Sequence, residues 1–163
     1  MPLKQHFKTA LTDTWSSVSD GDPVGSIRWE WDSDNNVMRC YKCVKYDNGD
    51  GSVAAVVGKL AMYIDDTGYA ASTVTMDKTN GTTIAAGIFM SIIADGSYGW
   101  IQIKGRAVGV SGLLNAACND NLTLSAVDNT TDGEIGVPDA DTEQVCGWVI
   151  DESAYEIYCD FPY

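Results

Sequence analysis

The chain has 163 residues, of which 45% are apolar and 20% charged, the composition of one globular domain rather than of a disordered segment. Ten Lys and Arg stand against 23 Asp and Glu, a net charge of −13. Such a surface repels nucleic acid and anionic membrane, whose binding needs clustered cations, and no run approaches the roughly 18 apolar residues of a spanning helix.

In chain order, Leu3, Phe7, Ala10 and Leu11 recur at helical spacing, so residues 3–15 read as a short helix or an arm, broken from Thr12 to Trp15. Asp13 to Pro23 reads as a linker. The expected organisation is an N-terminal arm and linker over 1–23 and a β domain over 24–163. Strand signals follow. Ile27 to Trp31 alternates, and so does Val37 to Tyr46. Val53 to Val57 is a short apolar run. Leu60 to Ile64 ends at the turn Asp65 to Gly68, and Ala71 to Met76 is closed by Asp77 to Gly81. Ile84 to Ile93 is apolar throughout, a buried strand or a helix; its β-branched ends and the following Asp95-Gly96 favour the strand. Trp100 to Lys104 alternates, Leu122 to Ala126 follows, and Val145 to Ile150 and Tyr155 to Phe161 flank Asp151 to Ala154 as a closing hairpin. Short, evenly spaced strands with glycine-rich polar turns predict an all-β fold, a small β-sandwich or β-barrel.

Five cysteines, odd in number and irregular in spacing, do not make a disulfide framework. Cys40 and Cys43 invite a zinc reading, but residues three apart on a strand point to opposite faces. There is no second Cys-x-x-Cys, and the only histidine is His6, so no metal site is expected. If the closing hairpin is symmetric, Cys146 faces Cys159 at a Cα separation of about 4.5–5.5 Å, within disulfide reach.

Charge is unevenly placed. Residues 1–106 hold all ten cations and 12 acids, while residues 107–163 hold 11 acids and no cation. The last third must expose a broad negative surface, which either is a solvated face that keeps the chain soluble or places partner docking on the near-neutral N-terminal part.

Catalytic patterns are weak. A nucleophilic triad needs a proton-shuttling base, and His6 sits beside the N-terminus. Acid pairs such as Asp65-Asp66 follow from composition, and the acidic stretch Asp139 to Glu143 reads as an empty loop. Asp32 to Asn36 begins like a calcium loop, but Val37 and Cys43 stand where Gly and Glu are required. Gly49 to Ala54 fits a loose dinucleotide fingerprint without the helix that must follow, so Asp47 to Ser52 reads as a hairpin turn. No cofactor and no enzymatic activity are expected. Asn80, Asn121 and Asn129 begin Asn-x-Thr sequons, read as polar loops, and no apolar run follows Met1 as a signal peptide would require. Trp29 and Trp31 share one strand face. They either fill a core or a subunit interface or form a stacking platform for sugars.

The stretch Tyr98-Gly99-Trp100-Ile101-Gln102-Ile103-Lys104-Gly105-Arg106-Ala107 carries a resemblance. With Ala86 to Phe89 before it, and Asp120 to Ala126, Val145 to Ile150 and Tyr158 to Tyr163 after it, it resembles the small capsid decoration (cement) proteins of tailed bacteriophages. The likeness covers about residues 50–163. It implies a non-enzymatic, β-rich virion protein that is made in the host cytoplasm and binds the major capsid protein on the outside of the head. There it would sit as a homotrimer at local three-fold positions and lock neighbouring capsomers together. The expected capsid-facing residues are Lys4, Phe7, Lys8 and Trp15, on the charge argument above, and deleting residues 2–15 is expected to leave the β domain folded. Rival readings are another virion part (a head fibre base or tail component) and a carbohydrate-binding β-sandwich module using Trp29 and Trp31.

Overall fold

Two ten-residue strands, β2 (Val37–Tyr46) and β6 (Tyr98–Ala107), run antiparallel side by side, from Cys40 opposite Lys104 to Lys45 opposite Tyr98. The computed structural model describes residues 7–64, 71–81, 84–114, 117–118, 120–124, 132–136 and 145–161. The shorter strands are β1 (Ile27–Asp32), β3 (Leu60–Tyr63), β4 (Thr73–Thr75), β5 (Ala85–Phe89), β7 (Leu113–Leu114), β8 (Asn121–Leu124), β9 (Ile135–Gly136), β10 (Gly147–Asp151) and β11 (Glu156–Asp160).

Both long strands change partners along their length. The first half of β2 carries β1, and its end pairs in parallel with β4. The middle of β6 pairs with β5, and its end pairs with β11. The pairings β2–β4–β3–β5–β6 and back to β2 close a five-stranded barrel. Outside the ring, β1 extends one side, and β11, β10, β8, β9 and β7 extend the other. The chain is therefore all-β, as expected, in the form of a barrel with sheet extensions.

The turn-out from barrel to extension sits at a bulge. Cys40 pairs with Lys104 but Tyr41 with Gln102, so Ile103 is an additional residue on β6. Gln102 is buried and donates Nε2–H bonds back to the carbonyls of Gly105 and Arg106, at 3.2 and 3.0 Å. Gly105 has φ +91°, and a Cβ there would collide with the Met38 carbonyl oxygen. Only glycine lets β6 approach β2 this closely.

Alternation along β2 and β6 feeds two cores. One face contributes Cys40, Val44, Tyr46, Ile101 and Ile103 to the main core, with Leu60, Tyr63, Val74, Phe89, Val149, Ile157 and Cys159. The opposite face presents Tyr41, Cys43 and Trp100, covered by Trp15, Phe7 and Leu11. The cover is the segment from residue 7 to 26, which is built of turns and bends with no helix. Residues 7 to 23, expected as part of an arm and linker, lie on this face. Trp15 exchanges backbone hydrogen bonds with Tyr98 at 3.2 and 2.8 Å and stacks on its ring. Phe7 meets Trp100 edge-on at 5.6 Å. The buried carboxylate of Asp22 accepts from the backbone N–H groups of Lys8 and Thr9, both at 3.1 Å, and from the Thr9 hydroxyl at 2.6 Å. Trp100 Nε1 donates to the same hydroxyl at 3.0 Å. Phe7 and Leu11, two of the apolar positions that suggested a helix, are used, but a polar clamp and not an i to i+4 ladder holds the backbone; Leu3 lies outside the described residues and Ala10 is exposed.

Other expectations shift. Val53 to Val57 forms no strand: Ala55 enters the core, while Val56 and Val57 are exposed with no neighbouring strand to pair them. Asp47 to Ser52 turns as expected but closes no hairpin, since β2 and β3 both pair with β4 instead. The turn rests on Asp77, whose buried carboxylate accepts from Gly51 N–H at 2.9 Å, Thr79 N–H at 2.8 Å and the Thr79 hydroxyl at 2.7 Å. The strand begun at Ile84 ends at Phe89 rather than Ile93. The closing hairpin forms one residue out of the symmetric register: Cys159 lies opposite Gly147, because a bulge between Val149 and Asp151 takes up Ile150. Cys146 and Cys159 are both free buried thiols of the main core. The Asp65 to Gly68 turn, Ser125, Ala126 and Asp139 to Glu143 lie outside the described residues.

Deletion of residues 2–15, expected from the sequence to leave the β domain folded, should instead destabilise it, because Phe7, Leu11 and Trp15 cover Trp100 and Tyr41. Trp15→Ala should cost about 3–5 kcal/mol, and Asp22→Ala about 1–3 kcal/mol, in urea unfolding. Asp77 carries a pH signature. Hydrogen bonds, chiefly from Thr79, hold its carboxyl below the usual 3.8. Its stabilisation is complete above that ordinary value and is lost as pH falls through the lowered one. Asp77→Asn should therefore be less stable than the parent at pH 7, and the gap should narrow as unfolding is measured below about pH 3.8.

Candidate docking surface

The β1–β2 hairpin projects beyond the barrel, and its tip is held by a chain of polar contacts. Asp32 accepts from Asp34 N–H at 3.1 Å, from Asn35 Nδ2 at 2.7 Å and from the Arg39 guanidinium. The Asn35 bond, aided by the Arg39 charge, lowers the Asp32 pKa. Asn35 Oδ1 accepts from Arg106 Nη1 at 2.6 Å, and Arg106 Nη2 reaches Glu156 at 2.5 Å. The loop that opens like a calcium site therefore spends its Asp32 carboxylate on its own backbone and on Arg39, and ties the hairpin to β6 and β11.

On this rigid hairpin Trp29 lies opposite Cys40, and Trp31 opposite Met38. Cys40 belongs to the main core, so both indoles sit on the core-side face of the sheet. Ile27 on that face still packs against the core, but farther along β1 no described residue of the core covers it. Trp29 is 50% exposed, Trp31 55% and Met38 43%. The indoles fill no core within the chain.

A second aromatic pair lies at the other extension. Trp148 and Tyr158 are directly opposite on β10 and β11 and stack at 4.4 Å with an interplanar angle of 11°. Trp148 is 41% exposed. Their chain neighbours Val149 and Ile157 enter the main core, so these rings point to the other side of the sheet from Trp29 and Trp31. Along the path β1–β2–β6–β11–β10 the two patches are four strand spacings apart, roughly 19 Å.

The four residues singled out from the sequence are placed differently from one another. Lys4 lies outside the described residues. Phe7 is half-buried against Trp100 with the Arg28 guanidinium 5.0 Å above its ring. Trp15 is buried and bears on the fold. Lys8 is exposed on the covering segment, on the same side of the sheet as Trp148 and Tyr158. Sequence reading missed the Trp148–Tyr158 stack because a symmetric hairpin would set Trp148 opposite Ile157. The bulge at Ile150 supplies the single-residue shift that brings the rings together.

Thiol chemistry is suppressed where the chain buries it. Desolvation pushes Cys40 up to about 11, and Cys43 and Cys146 up to about 12. Cys40 and Cys43 occupy different cores on the two faces of β2, so one ion cannot bind both. Among the described residues no group of three or more His, Cys, Asp or Glu is placed to hold a metal; His6 is not among them. The acidic last third is partly neutralised from β6, where Lys104 meets Asp160 at 2.9 Å beside the Arg106–Glu156 pair.

No protein-family model, curated protein or solved structure matches the chain.

Half-exposed indoles contribute less to folding than buried ones. The double variant Trp29→Ser with Trp31→Ser should stay folded, and each substitution should cost less than Trp15→Ala in urea unfolding. It should lose the acrylamide-quenchable part of the fluorescence that Trp29 and Trp31 supply, while buried Trp100 and Trp15 continue to emit.

Proposed function

We propose that this chain is a structural virion protein that binds the exterior of a phage head and cross-links neighbouring capsomers through the major capsid protein, as a homotrimer at local three-fold positions. Cross-linking by an assembly needs at least two separate contact surfaces on one rigid body, one for the shell and one for another copy of the chain. The observation that supports this reading is the pair of exposed aromatic patches on opposite faces and opposite extensions of one sheet, Trp29/Trp31/Met38 and Trp148/Tyr158. The decoration-protein resemblance adds to it: its central stretch, Tyr98 to Ala107, is β6, the strand that joins the barrel to the second patch.

The shell-facing side in this reading is the face bearing Trp148, Tyr158 and the covering segment with Phe7 and Lys8. Trp15 acts there by holding that segment in place. Aromatic rings on a rigid scaffold lose little side-chain entropy on docking, so they suit modest contacts repeated many times. Three such contacts in one trimer raise effective affinity about 10²–10⁴-fold over one. Binding of this kind involves no bond making and no cofactor.

Co-sedimentation with undecorated heads tests the reading. The protein should pellet with heads to a fixed stoichiometry, and electron microscopy should place it on the capsid surface rather than on a fibre or tail. Trp148→Ala should weaken the association about ten-fold or more while leaving the protein folded. Protein that stays in the supernatant at saturating heads, or that turns over a substrate, overturns the proposal. The half-exposure of Trp29 and Trp31 favours one second reading, a sugar-stacking platform; binding on a glycan array that is lost in the Trp29→Ser/Trp31→Ser variant would establish it instead.

A further inference from the structure

Among the described residues the outer side of β1 is a free sheet edge, and its parity is fixed by neighbouring bonds. Cys43 N–H bonds to Ser26 and Lys45 N–H to Ser72, whereas Tyr46 N–H bonds to Ser97. Odd residues of β2 therefore turn toward β1 and β4, and even residues toward β6. Given the register Arg28–Tyr41, Glu30–Arg39 and Asp32–Val37, those three β1 residues bond inward to β2. The N–H and C=O groups of Ile27, Trp29 and Trp31 point off the edge, and none has a partner among the described residues.

An uncovered edge of this kind is a template for another strand. Soluble proteins usually blunt such an edge with unpaired charges, a proline or a bulge. β1 has no proline and no bulge, its charges Arg28, Glu30 and Asp32 are already paired, and its two central apolar side chains are half-exposed tryptophans. The sequence Ile27-Arg28-Trp29-Glu30-Trp31 is complementary to itself in one antiparallel register. With a two-fold axis at Trp29, Trp29 faces Trp29, Ile27 faces Trp31, and Arg28 faces Glu30 of the second copy, twice. The outward-pointing groups fall in the hydrogen-bonded pairs of that register, and the charges fall in the non-bonded pairs, where side chains approach most closely. Arg28 already bridges to Glu30 of its own chain, so the two copies would form an alternating array of four charges. Moving the axis by one residue, to Glu30, sets Glu30 against Glu30 and breaks the match.

We infer that β1 is a homophilic edge: two copies of this chain pair antiparallel through Ile27 to Trp31, centred on Trp29, joining their sheets. A two-fold contact cannot close a ring of three. In a decorated shell it would therefore lie between neighbouring trimers, and it stands or falls separately from head binding.

Sedimentation and amide exchange of the full chain test this. Between about 10 μM and about 1 mM the mass should rise to two chains or an even multiple. Over the same range the amides of Ile27, Trp29 and Trp31 should slow about ten-fold or more, while other surface amides do not change. Trp29→Pro removes an edge donor that bonds to nothing in the single chain, and it should abolish both effects. Glu30→Arg and Arg28→Glu, each alone, set like charges across the axis and should stay single-chain in this contact. Mixed in equal amounts, they should form the paired species, an outcome that loss of the in-chain ion pair does not predict. A mass of one chain or of three only, or fast exchange of the three amides at every concentration, overturns the inference. A three-chain mass with head binding would overturn it while leaving the proposed function standing.

Discussion

The antiparallel contact between β2 and β6 is the constraint on which the rest of the structure depends. Each strand is long enough to serve two sheets in turn, and each is covered on both faces over the stretch where they meet. A strand buried on one side only could be finished by the barrel alone. Because Tyr41, Cys43 and Trp100 emerge on the far face, a second layer is required, and residues 7 to 26 provide it. The polar clamp of Asp22 on Lys8 and Thr9 follows from that requirement, since a segment without regular structure must satisfy its backbone groups through side chains.

The same two strands decide where apolar surface is left over. Both outrun the barrel, and each extension carries strands with positions left partly exposed among the described residues. On the β2 side this leaves Trp29, Trp31 and Met38, and on the β6 side Trp148 and Tyr158. Each patch is rigid for a local reason. The Asp32–Asn35–Arg106–Glu156 chain fixes the first hairpin, and ring stacking across a bulged hairpin fixes the second. In the proposed reading these stiff apolar edges are the adhesive surfaces. Burial raises the Cys40, Cys43 and Cys146 thiols well above their ordinary values.

Much of the strand content could be read from alternation, because alternation is a local property. Val37 to Tyr46 was legible at both ends, and the opposed faces of Cys40 and Cys43 followed from strand geometry alone. Val53 to Val57 has strand-like composition but no neighbour to pair with, and pairing is not local. The segment around Phe7 and Leu11 shows helical spacing because it covers an apolar face, and covering that face does not require a helix. At the closing hairpin, a single additional residue, Ile150, shifts the register by one, so that Gly147 rather than Cys146 lies opposite Cys159 and Trp148 stacks on Tyr158. Nothing in the local composition marks that bulge, so the second aromatic patch was illegible while the first, two residues apart on one strand, was not.

By itself the sequence determined an all-β chain, the positions of its principal strands, the absence of a disulfide framework and the concentration of negative charge in its last third. Each of these depends on residue type or on spacing of two. Only the tertiary structure decided that Trp15 is buried and Trp29 exposed, that the ring closes through β2 and β6, and which edge remains open. The reason is that exposure depends on which distant strands arrive to cover a face, and that is set by register and bulges rather than by the residues on the face itself.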